Sequence, residues 1–212
     1  MLLDSFHADL RCPDERIEVA GMSSSGVERI REQKRALRKR ISDALTNLDR
    51  RAERSQSLCN ALIAHPAWQN ASTVAIFASM QSEPDVELLW PHADAKRLCY
   101  PVITPEGLEF VAVDSADRLQ PGRWGIREPI RETQSLVPAN QLDLVVVPGA
   151  AFTLTGERLG RGGGFYDRVL VSTGFRAFKA GVCFDAQIVP ALPSESHDQR
   201  VDCVVTESGV RL

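Results

Sequence analysis

The feature of this 212-residue chain that most limits its fold is the run Arg-Leu-Gly-Arg-Gly-Gly-Gly-Phe-Tyr-Asp at residues 158–167. It follows an apolar run, Leu-Asp-Leu-Val-Val-Val-Pro at residues 142–148, that reads as a buried strand. It leads into residues 165–172, which read as a short helix stopped by Gly174. Gly160, Gly162, Gly163 and Gly164 are costly to order, because glycine loses the most backbone freedom on folding. Such a loop makes sense where a ligand approaches the backbone closely and several N–H groups point at it. A glycine turn feeding a helix N-terminus favours an anion, and Arg158 and Arg161 add donors suited to phosphate oxygens. Asp167 then stands as a carboxylate in the first helical turn. The helix dipole favours it, but repulsion from phosphate points to a divalent cation between them. The run matches neither the Walker A pattern nor G-x-G-x-x-G, since Phe165 stands where the last glycine belongs. A flexible surface turn is the plainer alternative.

The remaining chain supplies a scaffold for such a loop. Residues 1–21 carry no sustained period, and the segment from Met22 looks like a fresh start, so a disordered N-terminal extension is expected before one domain at 22–212. Residues 30–48 have helical apolar spacing at Ile30, Leu37, Ile41, Ala44, Leu45 and Leu48. On a wheel of ~100° per residue, Lys34 falls about 40° and Arg38 about 80° from the centre of that stripe, with Lys39 on the far side. Lys34 and Arg38 would flank a cleft, or else belong to a solvated basic helix with snorkelling stems. A second helix is expected at 51–64, a first strong strand at 72–80, and a weak helix at 85–95 interrupted by Pro91. Glu83 follows that strand's C-terminal end, where open α/β sheets place ligand groups. A hairpin is expected from strands at 97–103 and 108–113, with further strands at 142–147, 177–184 and 202–206 and an edge piece at 209–212. Strands and helices alternate, so the expected fold is α/β: a three-layer, mostly parallel sheet with helices on both faces and one hairpin insertion.

Composition excludes several classes. The net charge of −3 gives no bulk attraction to nucleic acid or anionic membrane, and no run approaches membrane-spanning length. The five cysteines are dispersed without C-x-x-C, which favours a reducing cytoplasm and free thiols over disulfides or zinc. No G-x-S-x-G or Cys–His pairing is evident, which disfavours nucleophilic catalysis. What remains is the glycine loop, the pair Lys34 and Arg38, the loop carboxylates Asp167 and Asp198, and Glu83. Phe77 and Phe152 read more naturally as core than as ligand contacts, and Asp198 alone would be a turn former. Trp124, in a glycine-flanked loop, could stack on a planar ligand. Together these groups point to a nucleoside triphosphate with Mg²⁺ beside a pocket for a flat substrate.

Six motifs in order carry a family resemblance: Lys-Arg-Ala-Leu-Arg at 34–38, Ser-Met-Gln-Ser-Glu at 79–83, Trp-Gly-Ile-Arg-Glu-Pro at 124–129, Val-Pro-Gly-Ala-Ala-Phe at 147–152, the glycine run at 158–167, and His197-Asp198. Over about residues 29–207 the chain resembles the 5-formyltetrahydrofolate cyclo-ligase family, also called 5,10-methenyltetrahydrofolate synthetase. That resemblance implies ATP- and Mg²⁺-dependent cyclisation of 5-formyltetrahydrofolate to 5,10-methenyltetrahydrofolate by a cytoplasmic monomer. It implies ATP binding by Lys34, Arg35, Ala36, Leu37 and Arg38, and by Arg158, Leu159, Gly160, Arg161, Gly162, Gly163, Gly164, Phe165 and Tyr166. The folate would meet Ala78, Glu83 and Trp124, together with Arg161, Gly162, Gly163, Gly164 and Phe165. Asp167 and Asp198 would hold Mg²⁺, with Lys34 and Arg161 taking the catalytic parts. Phe165 stands where relatives often carry Tyr, and Ala78 where a larger apolar residue occurs. A sugar-phosphate or coenzyme A enzyme of similar architecture is one alternative, and a nucleic-acid module using the basic stretch 29–54 is the other.

Overall fold

The computed structural model describes residues 24–122, 125–130 and 135–211. The expected extension at 1–21 and the expected stacking residue Trp124 lie outside the described residues. Helix α1 (Ser24–Thr46) is followed by α2 (Arg51–Ile63) and α3 (Pro66–Asn70). Pro at the start of α3 suits a position whose N–H needs no partner, and the His65 ring accepts the Ala67 N–H to cap it. Strands β1 (Thr73–Ala75), β2 (Arg97–Thr104) and β3 (Gly107–Val113) come next. β4 (Leu119–Pro121) and β5 (Arg127–Pro129) form a separate ribbon, followed by β6 (Ser135–Val137) and β7 (Leu144–Val147). The short hairpin β8 (Ala151–Phe152) and β9 (Arg158–Leu159) precedes α4 (Phe165–Leu170), β10 (Phe178–Val182), β11 (Cys203–Thr206) and β12 (Gly209–Arg211).

Among the described residues the main sheet runs β12-β11-β10-β7-β1-β2-β3-β6. The strands from β11 to β2 are parallel, while β3, β6 and β12 add antiparallel edges. A central parallel strand is covered on both faces, which is why all four residues of β7 are apolar and buried. One face packs Val74, Leu144, Val146 and Val182 against Leu58 and Leu62 of α2 and Trp68 of α3. The other packs Ala75, Val145, Val147 and Val204 against Val169 and Leu170 of α4. The hairpin β2–β3 closes from Leu98 opposite Val113 to Thr104 opposite Gly107, as the alternation in sequence anticipates.

Several elements differ from expectation: α3, the ribbon β4–β5, the edge strand β6 and the hairpin β8–β9 are not among those read from the sequence, and two expected elements change form. The strand expected at 72–80 keeps ladder pairing only over Thr73–Ala75, although the Ile76 N–H still donates to Cys99 O and Ile76, Phe77 and Ala78 stay buried. Beyond that point the chain turns toward Glu83 rather than continuing the sheet. The segment expected as a helix at 85–95 is a 3-10 helix, Val86–His92, with Pro91 inside it. Proline lacks an N–H and crowds the preceding turn, so a regular α-helix cannot pass through it.

Candidate active site

The parallel strands deliver their carboxyl ends to one edge of the sheet, and α1 lies across that edge rather than on either face. Its Leu37, Ile41 and Leu45 pack on Ala150, Ala151, Leu159, Phe184 and Val189, all from segments that leave β7 or β10. That seating turns Lys34 and Arg38 inward, while Arg35, Ala36 and Lys39 stay exposed. The turn after β7 is held by Gln187, whose amide donates to Gly149 O and Ala150 O and accepts the Phe184 N–H.

Lys34 is buried, and its Nζ meets Glu195 Oε2 at 2.8 Å and Asp198 Oδ2 at 2.5 Å. The Asp198 carboxylate also accepts the Glu195 N–H at 2.7 Å. Arg38 Nε donates to Gly160 O at 2.8 Å, tying α1 to the glycine loop across 122 residues of sequence. Burial pulls the Arg38 guanidinium below its ordinary pKa, and the carboxylates of Asp198, Glu195 and Asp167 act against that shift. Within the loop Gly162 has φ +112° and Gly164 has φ +64°, backbone conformations that side chains disfavour. These two positions give the glycine run its physical reason.

Arg158 sits beneath the loop, not on it. Its side chain is 2 % exposed and reaches Pro148 O at 3.3 Å and the Asp167 carboxylate. Its Nε finds no hydrogen-bond partner among the described residues. Asp167 Oδ1 also accepts the Gln199 N–H at 3.2 Å, so the loop carrying Asp198 is tied directly to the start of α4. Arg161 extends the other way: its Nε donates to Glu83 Oε1 at 2.8 Å and its NH2 to Ser82 Oγ at 3.3 Å. The second oxygen of the buried Glu83 carboxylate accepts the Met80 N–H at 2.9 Å. Phe165 is half-buried with the Arg168 guanidinium 4.9 Å from its ring. Tyr166 lies near Arg158, and burial raises the pKa of its hydroxyl. Phe152, Leu37 and Leu159 are core residues, and Ala78 is buried at the strand end.

Two clefts open at this edge. One, of about 350 Å³, is lined by Arg51, Ser79, Met80, Glu83, Glu87 and Arg127 among others. The other, of about 300 Å³, is lined by Arg38, Ile41, Leu45, Ala150, Arg161 and Gln187 among others. Within the basic stretch Lys34 and Arg38 turn inward and Arg54 pairs with Glu207 and Asp49, while Arg29, Arg31, Arg35, Lys39 and Arg40 stay exposed without an aromatic partner in the stretch. Sequence reasoning missed Glu195, Ser82 and Gln187. Glu195 left a signal, standing three positions before Asp198 in the same turn-rich loop, whereas Gln187 left none. Ligand atoms of Glu195, His197 and Asp198 lie within 4.8 Å of one another, a set able to hold a cation.

Comparison with known proteins identifies the family. A model of the 5-formyltetrahydrofolate cyclo-ligase family matches residues 30–207. The 5-formyltetrahydrofolate cyclo-ligase of Escherichia coli K12 is 34% identical over 170 residues, covering 76% of this chain and 92% of that protein. The mouse enzyme of the same name is 30% identical over 199 residues, covering 82% and 93%. The solution structure of Aquifex aeolicus 5,10-methenyltetrahydrofolate synthetase superposes with a TM-score of 0.74 at 32% identity, covering 84% of this chain and 91% of that one. The 5,10-methenyltetrahydrofolate synthetase from Mycoplasma pneumoniae shares the fold, with a TM-score of 0.64 at 22% identity, covering 82% and 98%. A match spanning nearly all of the sheet, the glycine loop and α1 removes the sugar-phosphate and coenzyme A alternatives. The chain belongs to the 5-formyltetrahydrofolate cyclo-ligase family.

Proposed function

We propose that this chain binds ATP with Mg²⁺ and uses it to cyclise 5-formyltetrahydrofolate to 5,10-methenyltetrahydrofolate, releasing ADP and phosphate. The observation that carries the reading is a shared wall between two clefts. Arg161 of the glycine loop lines one cleft with Arg38, and its partner Glu83 lines the other. The first suits a polyphosphate, since Arg38 and Arg161 line it with positive charge at the margin of the glycine loop. The second offers a buried carboxylate to a flat ring bearing N–H donors.

The chemistry explains why such a site suffices. An amide oxygen leaves poorly, so the formyl oxygen must be activated before N10 can displace it. The formyl oxygen attacks the γ-phosphorus and ADP departs. N10 then attacks the formyl carbon, losing its proton. The carbon–oxygen bond breaks, and phosphate leaves carrying the former formyl oxygen. Phosphoryl transfer of this kind depends on positioning and charge neutralisation. Lys34 and Arg161 are the residues proposed to carry that charge. The four described cysteines are poor nucleophiles, being buried, with Cys59, Cys99 and Cys203 pushed up to about 12.

The carboxylates fit a hard divalent cation. Asp198 and Glu195 present oxygens within reach of one ion, with Asp167 linked to them through Gln199. Lys34 now neutralises Glu195 and Asp198, and Arg158 neutralises Asp167, so each acid is already arranged for positive charge. When bound, Mg²⁺ would offset charge on the β- and γ-phosphate oxygens. A working monomer is proposed as well, to be checked by light scattering.

Transfer of ¹⁸O tests the mechanism. Substrate labelled in its formyl oxygen should deliver the label to released phosphate, with ADP as the nucleotide product. Label lost to water, or AMP as product, would sink the phosphorylated intermediate.

A further inference from the structure

We propose that the Glu83–Arg161 ion pair is a latch that couples occupancy of the two clefts, so that each ligand makes the other bind more tightly. The inference rests on the two-substrate reading above and concerns how these residues regulate that site.

The pair has an unusual position. Glu83 lines the first cleft and Arg161 the second, so the bond between them, 2.8 Å from Nε to Oε1, forms part of the wall. Its two sides differ in freedom. The Glu83 side chain is 4 % exposed and fixed by the Met80 N–H, whereas the Arg161 side chain is 39 % exposed. Arg161 also springs from the glycine loop, next to Gly162 with φ +112°. Its other side-chain bond among the described residues, to Ser82 Oγ, is long at 3.3 Å. Arg161 is therefore the moving part and Glu83 the fixed one.

A carboxylate this deeply buried needs donors, and Arg161 supplies the charged one beside the Met80 N–H. A ring presenting N–H groups to Glu83 must displace the guanidinium to make its own hydrogen bonds. A polyphosphate in the second cleft must likewise draw Arg161 away from Glu83 to pair with it. Either ligand alone breaks the ion pair at its own cost. Once one has done so, the other meets a partner already released. Positive coupling follows, and linkage makes it equal in both directions.

Binding without turnover reads this directly. The probes are the Mg²⁺ complex of β,γ-imido-ATP, which cannot transfer its γ-phosphoryl group, and 5-formyltetrahydrofolate. In the parent protein each should bind about tenfold more tightly when the other is saturating, within the range ordinary for coupled sites. Glu83→Gln no longer holds Arg161 by charge. In that variant the nucleotide should bind alone as tightly as it binds the folate-loaded parent, and the coupling factor should fall to about one. Arg161→Ala changes a part-exposed residue and tests the other side. It should lose the coupling, while its folate affinity without nucleotide rises toward that of the nucleotide-loaded parent. A merely structural ion pair would lower both affinities and leave any coupling in place. Parent protein that turns over substrate and binds both ligands without mutual enhancement overturns the latch alone. Parent protein that neither binds nucleotide nor turns over overturns the ATP reading and the latch with it.

Discussion

Lys34 shows what a single residue can and cannot reveal from its place in the sequence. Its angle on the helical wheel already put it at the edge of the apolar stripe, so its turn inward was legible. Its partners were not, because Glu195 and Asp198 lie more than 160 residues away and meet it only through the fold. Lys34→Ala should weaken nucleotide binding about ten- to a hundredfold, the loss of a charge-assisted contact worth roughly 1.5–3 kcal/mol. Titration with β,γ-imido-ATP checks this, and an unchanged affinity in folded variant protein would confine Lys34 to its carboxylate partners. Asp167 was expected as a cation ligand on grounds of charge, and its carboxylate is held by Arg158 and the Gln199 N–H. Asp167→Asn keeps the shape while removing the charge, so the Mg²⁺ needed for half-maximal turnover should rise severalfold. Overlapping Mg²⁺ titrations for variant and parent would make Asp167 the partner of Arg158 and nothing more.

At the level of elements, α1 is the piece that completes the site. It covers no sheet face, and its apolar stripe docks on the segments leaving β7 and β10. Ile41 is 5 % exposed in that contact. Ile41→Ala should lower unfolding free energy by about 2–4 kcal/mol, through lost burial and a residual cavity. Nucleotide affinity should fall as well, because Lys34 and Arg38 ride on the same helix. Urea unfolding and nucleotide titration measured together check this, and stability lost with affinity intact would mean that α1 reseats without its isoleucine. The periodicity of α1, α2, β2, β3 and β7 made these elements legible beforehand. The truncated pairing of β1 and the 3-10 turn around Pro91 were less so. The first depends on where neighbouring strands diverge, which local patterning does not encode, and the second on Pro91, whose interruption of the helix was legible although its 3-10 form was not.

For the whole molecule, burial of its thiols predicts an alkaline limit to stability. In the unfolded chain the cysteines ionise near 9, whereas burial pushes Cys59, Cys99 and Cys203 up to about 12 and raises Cys183 as well. The native state therefore keeps protons that the unfolded state loses. This contribution is complete below about pH 9 and declines as pH rises toward 12, by about 1.4 kcal/mol per pH unit for each thiol. Urea midpoints from pH 8 to 10.5 should fall, and the stability difference between parent and Cys203→Ala should shrink along that range. A difference independent of pH would show that Cys203 is already accessible in the native state. We also propose that residues 1–21 are dispensable, the family match beginning at residue 30. A chain starting at Met22 should match the full chain in melting temperature and turnover, and a large loss in either would refute this. The sequence by itself determined the α/β class, the two long helices, the β2–β3 hairpin and the central strands, and it carried the residue types of the proposed phosphate site, because periodicity and glycine placement are local properties of the chain. Only the tertiary structure decided that Arg158 lies buried beneath the loop while Arg161 spans two clefts to Glu83. Two arginines three positions apart look equivalent in sequence. Which one is covered depends on the packing of β7, β9 and α4 around them, and that packing is fixed by contacts far along the chain.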